Sequence, residues 1–196
     1  SVQMDSRVRC SLEKYILSRM KGIGSHTYSL SEDTRSHETD DLVSWIDAQR
    51  KDGKVVLSAF SSSPDENIGQ QLAYAHESAN LSHLSPSVFP DQEAWLLALI
   101  GFFKELTIEA CLIIRIHPRL ASDKRGLPES PCLKDHLRRL TEAIGGCHSI
   151  RLVLPESVVS SYKLGSLSDI ILNGWSTIGL EFAIMGKPVC NAFYKC

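Results

Sequence analysis

The chain is expected to fold as an α/β domain, a Rossmann-like doubly wound parallel sheet of about five strands preceded by a helical linker segment. From Lys54 onwards, short runs rich in Val, Ile and Leu recur between Gly, Pro, Ser or Asn, as expected of strands buried on both faces. Between these runs lie segments with apolar residues at helical spacing, the mark of amphipathic helices. Strand and helix alternate, and right-handed crossovers then lay helices on both faces of one sheet.

In order, Ser11 to Met20 carries apolar residues at helical spacing and stops near Gly22-Ile23-Gly24, where glycine supports a helix end. Ser25 to Asp40 is Ser-, Thr-, Asp- and His-rich and reads as a loop or linker. Asp40 and Asp41 place carboxylates in the first turn of a second helix, whose stripe is Leu42, Val43, Trp45 and Ile46 and whose end is Lys51-Asp52-Gly53. The first strand is Val55 to Phe60. Residues 64 to 91 form a long insertion with a short helix expected around Gln70 to Ser78, and such loops are often functional. Asp91-Gln92-Glu93 then caps a helix running through Trp95, Leu96, Leu99, Phe102, Phe103 and Leu106. Cys111 to Ile116 is the second strand, ended by His117-Pro118, where proline removes a ladder donor. Lys134 to Ile144 is a helix, Ile150 to Leu154 the third strand and Ser160 to Leu167 a short helix. Asp169 to Asn173 is the fourth strand, Ser176 to Met185 a helix closed by Gly186, and Pro188 to Phe193 the fifth strand.

Composition narrows the function. With 196 residues, 43% hydrophobic and 22% charged, one compact domain is the default. Lys and Arg number 21 against 23 Asp and Glu, a net charge of -2, so no excess of positive charge draws a phosphate backbone and nucleic acid is not an expected partner. No apolar run approaches the roughly 20 residues of a membrane span, and no signal segment opens the chain. A cytoplasmic, soluble protein is expected. Six cysteines occur without a C-x-x-C pair, so neither a disulfide framework nor structural zinc is expected. His83, His136 and His148 have no metal-ligand spacing. The chain opens at Ser1 rather than Met and stops at Cys196 directly after an apolar run, which suggests a piece of a longer protein.

Ligands of open parallel sheets bind beyond the carboxyl ends of the strands. That rule selects Ser61-Ser62-Ser63 after the first strand, His117-Pro118-Arg119 after the second, Glu156 with Ser160-Ser161-Tyr162 after the third, and Asn173 to Gly179 after the fourth. In the last loop Gly174 permits a close backbone approach, and Ser176 and Thr177 suit a helix start whose free amides attract an anion. Glu181, one turn on, either accepts sugar hydroxyls or closes a capping box with Ser176 or Thr177. His117 either donates to a phosphate oxygen or is an ordinary packed histidine. Arg119 either pairs with the same anion or is solvated. Ser161 and Tyr162 either cap their helix or add a hydroxyl to a phosphate. Neither G-x-G-x-x-G nor G-x-x-x-x-G-K-[ST] occurs, which disfavours a dinucleotide fingerprint or a P-loop.

The ordered motifs Asp91-Gln92-Glu93-Ala94-Trp95, Ile113-Ile114-Arg115-Ile116-His117-Pro118, Ser160-Ser161-Tyr162-Lys163-Leu164, Ser176-Thr177-Ile178-Gly179-Leu180-Glu181-Phe182 and Gly186-Lys187-Pro188-Val189 resemble the capsule polysaccharide biosynthesis family of GT-B glycosyltransferases. The resemblance covers the C-terminal, donor-binding half, over about residues 54 to 194. It implies a nucleotide-sugar donor as substrate, no cofactor and no metal. It also implies that His117, Pro118, Ser176 and Thr177 hold the donor phosphates, with His117 catalytic, and their place on the same rim adds Ser161, Tyr162 and Gly179 as candidate phosphate contacts. By the same resemblance Glu181 would hold the ribose, while the strand-end rule makes Ser61, Ser62, Arg119 and Glu156 candidate loop contacts. Residues 1 to 53 would be an interdomain segment and 54 to 196 the nucleotide-sugar-binding domain. The saccharide acceptor would then sit on an N-terminal domain that these residues are too few to form, and the isolated piece would be inactive. A peripheral place in a membrane assembly complex is compatible with such a role. Two alternatives stand beside it: transfer of a polyol phosphate from a CDP-activated donor, as in teichoic-acid synthesis, and a non-catalytic nucleotide-sugar-binding or assembly module.

Overall fold

A computed structural model describes residues 5–24, 28–63, 88–105, 109–122 and 130–192. Helix α1 (Ser6–Met20) starts earlier than its apolar spacing implies, because Asp5 accepts from the Arg7 amide at 2.7 Å and caps it. Helix α2 (His37–Lys51) is capped by Ser36, whose hydroxyl accepts from the Thr39 amide at 3.1 Å. The polar stretch expected as linker up to Asp40 therefore already contains the first turn. The chain continues as β1 (Val55–Phe60), α3 (Gln92–Glu105), β2 (Ala110–Arg115), a 3-10 turn (Pro118–Leu120) and α4 (Pro131–Ile144). It ends as β3 (Ile150–Val153), α5 (Ser161–Leu167), β4 (Ile170–Asn173), α6 (Ile178–Ile184) and β5 (Val189–Asn191). The short helix expected near Gln70 to Ser78, His83 and Phe193 lie outside the described residues.

All five strands pair in parallel in the order β3-β2-β1-β4-β5, which is the Rossmann-like sheet expected. Side-chain alternation splits the core in two. Val56, Phe60, Cys111 and Ile113 meet α2, α5 and α6 through Leu42, Ile46, Tyr162, Leu164 and Phe182. Ala59, Leu112 and Ile114 meet α3 and α4 on the other face through Trp95, Leu96, Ile100 and Leu140. Ser58 is the polar exception on β1, and its hydroxyl is paired with that of Ser168 at 2.6 Å. Helix α2 is thus built into the cover of the sheet. Ile16 of α1 is also buried, and Met20 packs against the same core.

The strand order has one consequence for function. From β1 the chain runs outward through β2 and β3, then returns to the other side for β4 and β5. The connections leaving β1 and β4 diverge at that point, and a crevice opens beyond their carboxyl ends.

Candidate functional site

A cleft of about 500 Å³ lies at this switch point, within the usual range for small-molecule sites. Phe60 and Ser61 leave β1 into it, His117 and Pro118 enter from the turn after β2, and Trp175, Ser176 and Thr177 enter from the turn after β4. Ser161, Tyr162 and Glu181 arrive from α5 and α6. The structure thus brings together His117, Pro118, Ser161, Tyr162, Ser176, Thr177, Glu181 and Ser61 of the residues singled out from sequence.

The rim is held by backbone contacts. The Ser61 amide donates to Arg115 O at 3.1 Å and the Gly174 amide to Phe60 O at 3.0 Å. The His117 amide donates to Ser61 Oγ at 2.9 Å. Gln92 clamps Ser62, accepting from its amide at 2.6 Å and donating to its carbonyl at 3.1 Å. A Cβ on Gly174 would come within 3.0 Å of Trp95 and 3.1 Å of Gln92, so the turn packs closely here and a side chain would have to displace its neighbours. The Arg119 amide donates to His117 Nδ1 at 3.2 Å, an arrangement that places the proton of a neutral imidazole on Nε2.

The structure places the other expected residues outside this lining. Arg119 is not part of the cleft lining, and its guanidinium stacks over the Tyr28 ring at 5.3 Å. Glu156 is exposed and Ser62 is buried behind the clamp, both outside the lining. Gly179 is outside the lining and is buried against Asn173, which a Cβ would meet at 2.4 Å. The cap of α5 is Ser160, which accepts from the Lys163 amide at 3.4 Å. Ser161 and Tyr162 do not cap it. Helix α6 begins later than expected because the Ser176 amide is taken by Asn173 Oδ1 at 3.3 Å and Thr177 caps with no side-chain bond.

Glu181 decides the capping question. Only 3% exposed, it turns away from a reciprocal cap. Tyr162 donates to Oε2 at 2.6 Å, while Arg19 Nε and Tyr15 Oη approach Oε1 at 3.2 and 3.4 Å. Burial and the bond to Glu181 raise the Tyr162 pKa, keeping its hydroxyl protonated. Burial opposes the charge of Arg19, but Tyr162 and Glu181 more than offset it and hold the guanidinium above its ordinary value. Sequence reasoning missed this wall. Tyr15 and Arg19 come from α1, and Tyr28 and Ser29 from the stretch read as linker. Ser29 Oγ accepts from the Ser161 amide at 2.8 Å, and Ser160 donates to Leu30 O at 2.8 Å. The available signal was weak: Tyr15 and Arg19 are four residues apart and so share one face of α1.

Among the described residues no three His, Cys, Asp or Glu side chains gather in a metal-binding arrangement, and no helix is long and apolar enough to cross a membrane. No family model and no curated protein matches the chain. Two similar solved structures are the beta Kdo 2,4 transferase KpsC of Thermosulfurimonas dismutans, at 12% identity and a TM-score of 0.48, and S. aureus MnaA with UDP, at 19% and 0.44. The alignments cover 96% and 89% of this chain, but it spans only 46% and 34% of those chains.

Proposed function

We propose that the cleft binds the nucleotide of an activated sugar, and that the chain is the donor-binding part of a glycosyltransferase acting in capsule or other cell-surface polysaccharide synthesis. The observation that carries this reading is the convergence of His117, Ser176, Thr177 and Glu181 on one cleft at the sheet's switch point. Ligands of open parallel sheets occupy that place.

In the proposed reaction an acceptor hydroxyl gives up its proton to a base outside this chain and attacks the anomeric carbon, the bond to the donor phosphate breaks, and the nucleotide leaves with its electron pair. Negative charge grows on the departing phosphate, and donors already fixed around it stabilise the transition state. His117 Nε2–H and the hydroxyls of Ser161, Ser176 and Thr177 fill that role. Glu181 accepts from ribose hydroxyls alongside its existing donors. A second domain supplies the acceptor, since attack requires both reactants held together.

Calorimetric titration with UDP, CMP, CDP and GDP tests the reading. Charge-assisted or ordinary hydrogen bonds are worth about 0.5–3 kcal/mol. His117→Ala and Glu181→Gln should therefore weaken the preferred nucleotide by a few-fold to about a hundredfold. Arg138→Ala should change little, because Arg138 sits on exposed α4 against Asp135 and Glu142. Equal small effects in three variants that remain folded by circular dichroism would reject the site. A preference for CDP-glycerol over nucleotide sugars would move the assignment to polyol-phosphate transfer.

A further inference from the structure

Arg115 ends β2, level with Phe60 on β1 and Val153 on β3. It lines the cleft although only 2% of the residue is exposed. Its contacts are carbonyls. Nη1 donates to Leu154 O, while Ser157 O and Val159 O lie 3.4 and 3.5 Å from Nη2, near the limit of hydrogen bonding. The Nε–H is buried, and no described residue accepts from it.

Arg115 forms no ion pair among the described residues, and Glu38 and Glu156 act on it only through space. Arg19, the other arginine of the cleft, is paired with Glu181. Burial pushes the Arg115 pKa down to about 10, so the side chain still carries its charge at neutral pH. Burying a cation without a counter-ion is costly. The close Leu154 carbonyl and the two more distant ones offset only part of that cost, and the unpartnered Nε–H with the remaining charge points to an anion beyond the described residues.

We propose that Arg115 is the fixed cation that selects phosphorylated ligands, the nucleotide's phosphate oxygens being the ion-pair partner that no described residue provides. The inference rests on the nucleotide reading of the same cleft. Arg115 also holds the carbonyls of residues 154, 157 and 159, so a merely structural role has to be told apart from a role in charge recognition. The number of phosphates on the ligand does this.

The experiment titrates the full chain and its Arg115→Met and Arg115→Lys variants with the diphosphate, monophosphate and nucleoside of the preferred base, and with inorganic pyrophosphate. Wild type should bind more tightly with each phosphate added. Arg115→Met should lose roughly tenfold or more for the diphosphate and less than about twofold for the nucleoside, with Arg115→Lys between. An equal loss for all ligands, or an unchanged diphosphate affinity, overturns the inference and leaves the nucleotide reading standing. Pyrophosphate binding that depends on Arg115, with no nucleotide preferred, supports the cation and rejects the nucleotide reading. If Arg115→Met does not fold, the Arg115 Nε–H signal in nitrogen-15 NMR of wild type decides: it should move with the diphosphate or pyrophosphate and not with the nucleoside. A signal unmoved by either phosphate ligand overturns the inference.

Discussion

Tyr162 donates its hydroxyl to Glu181 across 2.6 Å in the interior, joining α5 to α6 under the cleft. Arg19 reaches the other carboxylate oxygen from α1, so three helices meet on one side chain. A buried carboxylate is tolerated only when its oxygens are satisfied. Here the donors come from segments far apart in the chain.

Removing a donor should therefore cost stability. A hydrogen bond to a charged group is worth about 1.5–3 kcal/mol, so Tyr162→Phe should lower the unfolding free energy by that order. Arg19→Met should also destabilise, since it removes the ion-pair partner of a buried carboxylate. Arg9→Ala breaks only an exposed pair with Glu13 and should change little. Urea denaturation checks the order, and a Tyr162→Phe protein that unfolds at the wild-type midpoint contradicts it.

Glycines should respond with opposite signs. A Cβ on Gly165 would lie 1.8 Å from the Phe182 ring, and one on Gly179 would lie 2.4 Å from Asn173. Both alanine variants should lose about 1–3 kcal/mol or more through overpacking. Gly101, inside α3, has nothing within 4 Å of its Cβ position. Gly101→Ala should gain about 0.5–1 kcal/mol from helix propensity and reduced chain entropy. Thermal melts of the three variants test this, and a lower melting temperature for Gly101→Ala would contradict the last claim.

Acid should expose the junction of α3 and α4. The hydrogen bond from Arg139, helped by His136 and opposed by burial, holds the Glu93 carboxyl below its ordinary value of 4.5. The folded state thus binds this proton less readily than the unfolded chain. Its stabilisation is present above the ordinary value and is lost as pH falls through the lowered one. Glu93→Gln should unfold at lower urea than wild type at neutral pH, and the difference should shrink in acid. A gap that stays constant from neutral to strongly acidic pH would contradict the assignment.

Cysteine reactivity should follow position in the fold. Burial on the central part of the sheet pushes the Cys111 thiol up to about 11, whereas Cys10, Cys132 and Cys190 are exposed. The thiolate is the reactive form. Iodoacetamide near neutral pH should label the three exposed thiols and spare Cys111 until denaturant is added, as read by peptide mass spectrometry. Early labelling of Cys111 would contradict this.

Several elements were legible because their causes are local. The run Val55 to Phe60, bounded by Gly53 and serines, and the run ending at His117-Pro118 are apolar enough to need cover on both faces, which implies a parallel sheet. Once the sheet is inferred, the residues following each strand lie on one rim. His117, Ser176 and Thr177 could therefore be grouped from the sequence. Gly179, Arg119 and Glu156 could not be sorted by the same rule, because closeness to a strand end does not say which way a side chain turns.

The sequence alone determined which segments cross the sheet and which turns share its carboxyl edge, since both follow from hydrophobic period and chain punctuation. Tertiary structure decided the strand order, the cover that α1 gives Glu181, and the burial of Arg115 without an ion-pair partner among the described residues. Tyr15 and Arg19 lie 166 and 162 positions from Glu181, and only the stacking of helices on the sheet brings them within hydrogen-bond reach. A polar side chain finds its partner across such distances through packing of whole elements, which no local pattern encodes.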